Sequence, residues 1–369
     1  MPDKTTPDLN FSPKGLYIGG EWQESIDSGT FETINPSNRE KLGDVPEAAE
    51  KDVARAVAAA KTAFVEWRRV PIAERARCLE KLAQRIDDHT EELALLDSVD
   101  AGNALSGMRG DMEWTAKTLR YFAGLITEIK GETSSHGPRH LNVTRRQPYG
   151  VVAKINAFNH PFRFCAEKAA APLAAGNCVV IKGSEQAPLS SLKLGELCEG
   201  IFPRGVVNIV TGGAKAGAAL VTHPDVNRVA FVGSVPTGRA IAKAAADSNL
   251  KRVTLELGGK SPMIVLPDAD LDTAVPALSA GIFSGAGQIC TAGSRMYVHE
   301  KVFDMVVDGV ASAADALKVG YGFDAETQMG PLITSDHRER VARMTETAIR
   351  EGASVVTGGE GIEGDGYFY

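Results

Sequence analysis

Hydrophobic residues follow one spacing before residue 150 and another after it. In the first part they recur every three or four residues, which is the period of a helix with one buried face. After residue 150, short apolar runs such as Cys178–Lys182 alternate with segments of helical spacing. Continuous apolar runs are typical of parallel strands that are buried on both faces. The pattern therefore predicts an α/β fold.

The first part is predicted to hold a loosely attached leader at 1–14, two short strands and four helices. Gly102 and Gly107 are predicted to separate the third helix from the fourth, because glycine is a poor helix former. The strands are predicted at 16–20 and 30–35, and the helices at 46–67, 72–89, 91–100 and 112–127.

After residue 150, strands and helices alternate at lengths that suit right-handed βαβ crossovers. The predicted strands are 150–155, 178–182, 206–210, 229–232 and 252–257, and the helices between them are 162–174, 188–198, 214–222 and 237–246. Further on, helices are predicted at 302–317 and 338–351 and a strand at 354–357.

The segment 129–148 differs from both parts, because it is polar and has few core residues before Leu141. One interpretation is an exposed hairpin whose open edges need a partner to cover them. The other is a plain surface loop. The first interpretation makes the segment a candidate contact between subunits, and the residues alone leave both open.

Glycine, amide or charged residues follow each of the five strands predicted between 150 and 257. Ligands of open parallel sheets bind at the carboxyl ends of the strands, where these residues lie together. Five such strand ends predict a ligand crevice along one edge of the sheet. The residues are Asn159 and His160, Lys182 and Glu185, Gly212 and Gly213, Gly233 to Gly238, and Glu256 to Gly259.

Two of these strand ends suit a dinucleotide. The turn from Gly233 and Ser234 to Gly238 can present backbone N–H groups and a helix N-terminus to a pyrophosphate, although the GxGxxG fingerprint is absent. Lys182 and Glu185 stand where a ribose would lie, and a carboxylate there repels a 2′-phosphate and favours NAD over NADP. The competing interpretation of Lys182 and Glu185 is a surface ion pair.

Cys290 lies among residues with small side chains, from Gly285 to Ser294. Such a segment leaves a thiol unshielded, which suits a nucleophile. The competing interpretation is an inert buried cysteine.

The composition narrows the possible functions. The chain has 369 residues, a net charge of −7 and no basic block, so nucleic acid and anionic membrane surfaces are unlikely partners. No apolar run reaches the ~18 residues of a membrane span. The five cysteines are odd in number and widely spaced, without a metal-binding cluster, which favours a reducing cytoplasm and predicts no metal.

Two motifs carry a specific resemblance: LELGGKSP at 255–262 and GQICTAGSR at 287–295. Supporting phrases are NAFNHP at 156–161, VVIKGSE at 179–185, GVVNIVTG at 205–212 and FVGSVPTGR at 231–239. With them, the chain from about residue 16 to its end resembles the NAD(P)-dependent aldehyde dehydrogenase superfamily. The resemblance implies a Rossmann-type NAD-binding domain from 1–128 and 149–257, an oligomerisation excursion at 129–148, and an α/β catalytic domain at 258–369.

The resemblance also implies roles for particular residues. Cys290 matches the nucleophile, Asn159 the oxyanion donor, and Glu256 the base that activates water. Lys168 matches a further lysine near the site, although a lysine that is only buried in its helix, or that snorkels from it to solvent, fits nearly as well. The implied cofactor contacts are Lys182, Glu185, Gly233, Ser234, Gly238 and Gly258.

Three departures from the family pattern affect these expectations. Phe158 and His160 replace the usual aromatic residues around the asparagine, so the substrate cannot be inferred by analogy. His160 fits a wall residue better than a proton shuttle, because the sequence shows no partner for it. Gly183 replaces a usual proline. The phrase Gly366-Tyr367-Phe368-Tyr369 leads in the family into roughly a further quarter of the chain, so the catalytic domain is expected to be incomplete.

The expected function is NAD(P)-dependent oxidation of a small aldehyde to a carboxylic acid by a homodimer or homotetramer. The intermediates would be a thiohemiacetal and then a thioester on Cys290, which water activated by Glu256 hydrolyses. A truncated chain that only binds nucleotide, or only pairs with full-length subunits, is the alternative. The acylating branch of the family, which uses coenzyme A in place of water, is disfavoured by Glu256.

Overall fold

A computed structural model describes residues 4–135 and 137–369. Three residues of the expected leader, 1–3, and one residue of the expected excursion, His136, lie outside the described residues. In the described parts of the chain, no helix has both the length and the apolar character needed to cross a membrane.

A seven-stranded sheet forms the centre of the molecule, with the strand order β11-β10-β7-β8-β9-β1-β2. The strands from β11 to β9 are parallel, whereas β1 is antiparallel to β9 and to β2. The strands of this sheet are β1 (Leu16–Ile18), β2 (Glu21–Gln23), β7 (Val151–Ile155), β8 (Cys178–Lys182), β9 (Val207–Val210), β10 (Arg228–Gly233) and β11 (Arg252–Leu257).

The described strands outside this sheet form three two-stranded sheets. They are β3 (Thr30–Ile34) with β4 (Lys41–Pro46), β5 (Thr133–Ser135) with β6 (Leu141–Val143), and β12 (Pro262–Val265) with β13 (Arg295–Val298).

Helices cover the central sheet in two layers. One layer holds α1, α7 and α8, and the other holds α5 and α6 with α2, α3 and α4 outside them. The helices are α1 (Glu50–Trp67), α2 (Ile72–Asp88), α3 (Thr90–Ala101), α4 (Leu105–Leu125), α5 (Pro161–Ala174), α6 (Leu189–Cys198), α7 (Ala214–Thr222), α8 (Val235–Asp247), α9 (Leu271–Phe283), α10 (Phe303–Asp315) and α11 (Ser335–Arg350).

Burial on both faces explains the continuous apolar strands. Every residue of β7 and β8 is buried, because helices cover both sides of the sheet at these positions. β11 alternates instead: Leu255 and Leu257 pack into the core beneath α8, whereas Glu256 on the opposite face is exposed. The sequence LEL therefore sends the carboxylate of Glu256 away from the core.

Two buried carboxylates on α3 fix the positions of α5 and α6. Asp97 accepts a hydrogen bond from the Phe162 backbone N–H (3.1 Å), and Asp100 accepts one from the Leu189 N–H (2.8 Å). Each carboxylate thus satisfies a backbone donor at a helix N-terminus, which has no partner within its own helix. Burial raises the pKa of Asp100 to about 7. Because α5 begins directly after Asn159, Asp97 also positions the loop that carries this residue.

A strand pairing and a hydrogen bond join the N-terminal strand β1 to β9 of the central sheet. Tyr17 of β1 pairs with Ile209 of β9. The Gly19 N–H donates to Oδ1 of Asn208 at 2.9 Å, and the side chain of Asn208 is fully buried. The N-terminal strand therefore covers the edge of the sheet at β9.

The region around β12 and β13 has a small core of its own. Its buried members are Val265, Leu278, Val302 and Val306, from β12, α9 and the start of α10. This region holds Cys290, between α9 and β13.

The hairpin of β5 and β6 is exposed on every residue of both strands. Leu141 and Val143 are two of its large apolar side chains, and each is about two-thirds exposed (68% and 65%). The hairpin that the sequence allowed is thus present, whereas its role between subunits stays a prediction.

Some expected elements were wrong or absent. Gly102 does end α3, in a left-handed conformation (φ 78°), but Gly107 lies inside α4, which begins at Leu105. Residues 354–357 form no strand, because no strand of the described residues lies beside them to supply ladder hydrogen bonds. The sequence reasoning also missed β2, β4, α9, β12 and β13.

Candidate active site

The thiol of Cys290 lies on an exposed turn. Between α9 and this residue the chain makes a tight turn in which Gly285, Ala286 and Gly287 all have positive φ (56°, 53° and 71°). Two of these three positions are glycine, which adopts this conformation without strain. Cys290 is exposed, so the interpretation as an inert buried cysteine is wrong.

The other four cysteines differ sharply from Cys290. Burial raises the pKa of Cys165, Cys178 and Cys198 to about 12 and raises that of Cys78 as well. Thiols in such surroundings stay protonated at neutral pH and are poor nucleophiles. Among the five cysteines, only Cys290 is exposed.

Gln288 holds the turn in place. Its side-chain nitrogen Nε2 donates to the carbonyls of Gly285 (3.2 Å) and Pro331 (3.4 Å), and its Oε1 accepts from the Ile333 N–H (3.1 Å). One amide side chain thus connects the turn to a distant segment at two points. This connection fixes the backbone two residues before the thiol.

The segment after Glu256 lies directly beside Cys290. A Cβ atom on Gly259 would stand 2.8 Å from the Cys290 carbonyl oxygen, closer than real side chains come. Arg295 Nε adds a bond to the Lys260 carbonyl at 2.7 Å. The glycine pair after β11 therefore allows the end of the central sheet to meet the turn that carries the thiol.

Asn103 connects the Asn159 loop with this turn. Its Nδ2 donates to the Asn159 carbonyl at 3.0 Å, and its Oδ1 would lie 3.6 Å from a Cβ atom on Gly285. Ser98 Oγ donates in turn to the Asn103 carbonyl at 2.6 Å. Sequence reasoning missed this contact, because a lone asparagine after a helix end is a common cap and no local pattern marks it.

His160 has a partner that the sequence did not reveal. Its Nδ1 is hydrogen-bonded to Oδ2 of Asp111, on α4, and the other oxygen of Asp111 accepts from Arg163 at 3.0 Å. His160 is half-buried at the N-terminus of α5, and Asp111 is buried. His160 therefore has a partner, contrary to the expectation from the sequence, and the bond fixes the ring directly beside Asn159.

Lys168 and Glu256 line one small cavity of about 100 Å³. Lys168 also lies 3.8 Å from the Glu167 carboxylate and 5.9 Å from the centre of the Phe164 ring. Its side chain is one-third exposed (33%). Lys168 therefore reaches the surroundings of Glu256 and does not merely extend into solvent.

Lys182 and Glu185 form an ion pair, but Lys182 is buried, so it is not the surface pair of the competing interpretation. Lys182 Nζ donates to Glu185 Oε2 (3.0 Å) and to the Gly183 carbonyl (3.1 Å). The Lys182 side chain is buried, whereas that of Glu185 is half exposed. The carboxylate is thus held at the carboxyl edge of the sheet by a fixed ammonium group, with an open side toward solvent.

The loop after β10 combines a helix cap with close packing. Ser234 is the N-cap of α8 and its Oγ accepts from the Thr237 N–H at 3.3 Å. A Cβ atom on Gly238 would stand 2.8 Å from Leu257, and one on Gly233 would stand 2.4 Å from the Phe231 ring. These two glycines are therefore explained by packing, and their contacts with a cofactor stay predictions.

Gly258 has open space where a side chain would be. Its predicted contact with the cofactor is neither required nor opposed by packing. No group of three or more acidic, histidine or cysteine side chains that could hold a metal ion occurs in residues 4–135 and 137–369.

The chain resembles known proteins of one family. The model of a family described as "Aldehyde dehydrogenase family" matches residues 22–369. A protein named putative aldehyde dehydrogenase DhaS, from Bacillus subtilis, is 43% identical over 360 residues, which are 96% of this chain and 72% of that protein. Human retinaldehyde dehydrogenase 3 is 42% identical over 381 aligned positions, covering 100% of this chain and 74% of the relative.

Solved structures give the same result. The structure of a Bacillus cereus aldehyde dehydrogenase with NAD+ superposes with a TM-score of 0.95 at 43% identity, covering 98% of this chain and 74% of that one. PnpE in complex with nicotinamide adenine dinucleotide gives 0.94 at 40% identity, covering 97% and 74%. The predicted fold class, family and cofactor class are thus confirmed.

Proposed function

We infer the chemistry from a premise that the comparisons establish: the chain belongs to the aldehyde dehydrogenase family. It is an oxidoreductase that converts an aldehyde to a carboxylic acid with NAD(P) as the electron acceptor. We propose that Cys290, Asn159, Glu256 and Lys168 perform this reaction. The contact between Gly259 and Cys290 carries the proposal, because it places the segment of the base beside the thiol.

Cys290 is the proposed nucleophile. Its thiolate attacks the aldehyde carbon and forms a thiohemiacetal, and a thiolate is a strong nucleophile even when only a minority is ionised. The oxygen becomes negatively charged, and the side-chain amide of Asn159 and the backbone N–H of Cys290 donate to it. One such donor lowers the barrier by about 2.7–4 kcal/mol. Asn103 and the bond between His160 and Asp111 keep the Asn159 loop in place for this role.

Bound NAD(P) would accept the hydride that the thiohemiacetal carbon loses, which leaves a thioester on Cys290, and the residues at the strand ends fit this cofactor. Lys182 and Glu185 would hold a ribose, and the backbone at Gly233 and Ser234 together with the start of α8 would hold phosphate. Lys182 and Glu185 suit a ribose, because the buried ammonium group of Lys182 fixes the carboxylate of Glu185, which is open to solvent. We propose NAD over NADP, because the carboxylate of Glu185 would repel the 2′-phosphate of NADP.

Glu256 is the proposed base of the second half-reaction. It takes a proton from water, whose oxygen attacks the thioester carbon, and Cys290 leaves as a thiolate. Lys168 shares the cavity of Glu256 and places a positive charge near the carboxylate. The exposure of Glu256 on the uncovered face of β11 gives water access to it.

The organisation of the whole protein is proposed in the same terms. We propose that residues 1–128 and 149–257 bind the cofactor, that 258–369 form the catalytic domain, and that 129–148 join subunits of a homodimer or homotetramer. The exposed apolar side chains of Leu141 and Val143 support the last assignment. Five free cysteines support a reducing compartment such as the cytoplasm.

The test is NADH production from a panel of aldehydes by the purified chain and by Cys290→Ser. The chain is expected to form NADH and the carboxylic acid, and Cys290→Ser is expected to lose turnover while NAD binding, followed by fluorescence, survives. Cys78→Ser is the matched control, because its thiol lies in another part of the molecule and should leave turnover unchanged. Unchanged turnover in Cys290→Ser would refute the nucleophile, and acyl-CoA as product would refute hydrolysis.

A further inference from the structure

A buried lysine, Lys154, lies near the proposed base and has no role in the steps above. It is the fourth of the five residues of β7, and the residue is 8% exposed. Within the described residues its Nζ makes no hydrogen bond and no ion pair; burial and two neighbouring cations are what act on its charge. A buried cation without a partner is costly, so the position calls for an explanation.

The strand register places Lys154 on the same face of the sheet as Glu256. Lys154 pairs with Ala230 of β10, and Ala230 pairs with Thr254 of β11. Since side chains alternate along a strand, Thr254 and Glu256 point to the same face. Lys154 and Glu256 thus stand in adjacent rows across three strands.

One cavity joins the two side chains. The cavity of about 100 Å³ that Glu256 lines is also lined by Lys154, and Thr254 lies between them. It has room for several water molecules, which need polar partners such as these. A proton can therefore move between Glu256 and Lys154 through hydrogen-bonded water without leaving the cavity.

The charges around Lys154 favour its neutral form. Burial, together with repulsion from Arg228 on β10 and Lys168 on α5, lowers its pKa to about 8. Glu256 is the acidic group that faces the same cavity, while the neighbouring residue on β8 is the apolar Ile181. Roughly a tenth of Lys154 is consequently an amine with a free lone pair at pH 7, and about half of it at pH 8.

We propose that Lys154 accepts the proton that Glu256 has taken from the hydrolytic water. After the thioester is cleaved, Glu256 is a neutral acid and must become a carboxylate before it can serve again. Its O–H bond breaks, and the proton passes through cavity water to the lone pair of Lys154, which becomes an ammonium. Solvent removes this proton before the next turnover. The inference rests on the role proposed for Glu256.

The test compares Lys154→Met with Lys154→Arg in the full chain. Met keeps the length of the side chain without a proton acceptor, and Arg keeps the charge but stays protonated. In both variants the first turnover of NADH formation is expected to match the unchanged protein, because Cys290 and the cofactor contacts are untouched. Steady-state turnover is expected to fall about tenfold, less than the 10²–10⁴-fold for loss of a general base itself, because solvent remains as a slower route for the proton.

Two further measurements separate proton transfer from a structural role. In the unchanged chain the steady-state rate should rise as the pH passes through about 8 and Lys154 becomes neutral, and both variants should lose this rise. A small amine added to the buffer should restore turnover in Lys154→Met. If steady-state rate and pH profile are unchanged in both variants, or if no amine restores turnover in a Lys154→Met protein of unchanged melting temperature, the inference is wrong.

The variant Glu256→Gln shows whether a negative result concerns the proposed base itself or only the role of Lys154. If Glu256→Gln turns over normally, the proposed base is wrong, and the proposal for Lys154 is lost with it. If Glu256→Gln stalls after one turnover but Lys154→Met does not slow, only the role of Lys154 is refuted.

Discussion

Two regions of the molecule support the site by different means. The seven-strand region is the central sheet, with its parallel strands β7 to β11, and the two-strand region is the sheet of β12 and β13. In the first, Lys182 stands at the end of a strand that is wholly buried. In the second, Cys290 is exposed above a core of four buried residues. Here hydrogen bonds from Gln288 and the close approach at Gly259, and not burial, fix the segment that carries the thiol. Loss of a single hydrogen bond or ion pair should therefore change activity little in the seven-strand region, which holds the cofactor residues, and strongly in the two-strand region, which holds the thiol.

The largest expected effect comes from Glu256→Gln, at the junction of the two regions. The variant should form NADH once and then stall at the thioester, with steady-state turnover lowered by about 10²–10⁴-fold, because an amide cannot take a proton from water. Rapid mixing that follows NADH absorbance measures both phases. Glu300→Gln, an exposed residue of the two-strand region, is the matched control. A normal steady state in Glu256→Gln would show that the base lies elsewhere.

A pair of identical substitutions tests the comparison itself. Leu173→Ala removes a fully buried side chain from the large core, and Leu278→Ala removes one from the small core. We expect Leu173→Ala to lower the free energy of unfolding by about 4 kcal/mol and Leu278→Ala by about 2 kcal/mol, since a small core can collapse around the cavity. The rate of the first turnover should fall more in Leu278→Ala than in Leu173→Ala, because α9, which holds Leu278, leads into the turn that carries Cys290.

Urea unfolding and rapid-mixing kinetics on the same samples give both quantities. Leu173→Met and Leu278→Met are the volume-matched controls, which should each cost less than about 1.5 kcal/mol. Equal losses of stability and of rate in the two alanine variants would mean that the two regions form one mechanical unit, and the comparison would fail.

The smallest effect is expected from Glu185→Gln on the cofactor side. Because the carboxylate is half exposed, its loss should leave folding and NAD turnover largely intact. The preference for NAD over NADP should narrow by about tenfold, or about 1.4 kcal/mol, once the repulsion of a 2′-phosphate is gone. Values of kcat/KM for both cofactors measure it, with Glu66→Gln on the surface of α1 as control. An unchanged ratio would contradict the contact with the ribose.

The sequence was most informative where a local pattern decides the structure. Buried runs such as Cys178–Lys182 predicted the parallel strands, because burial on both faces demands apolar side chains at every position. The alternation in Leu255, Glu256 and Leu257 similarly sends one charged side chain away from the core. Small residues around Cys290 predicted an exposed thiol, and the turn with positive φ angles accounts for them.

Contacts between distant segments could not be predicted in this way. Asp111 lies 49 residues from His160, and Asn103 lies 56 from Asn159. No periodic pattern links positions so far apart, so the partner of His160 was missed. The strand expected at 354–357 failed for a related reason, since strand propensity forms a ladder only beside another strand.

The bond between Gly19 and Asn208 has a consequence for the order of folding. It spans 189 residues, and it holds the strand that covers the β9 edge. During synthesis, at about 5–20 residues per second, the first strand must wait roughly 10–40 s before its partner emerges. Contacts of such long range also slow the search for the native state. In that interval β1 can pair with β2, but its edge toward β9 stays open and can bind another strand or a chaperone.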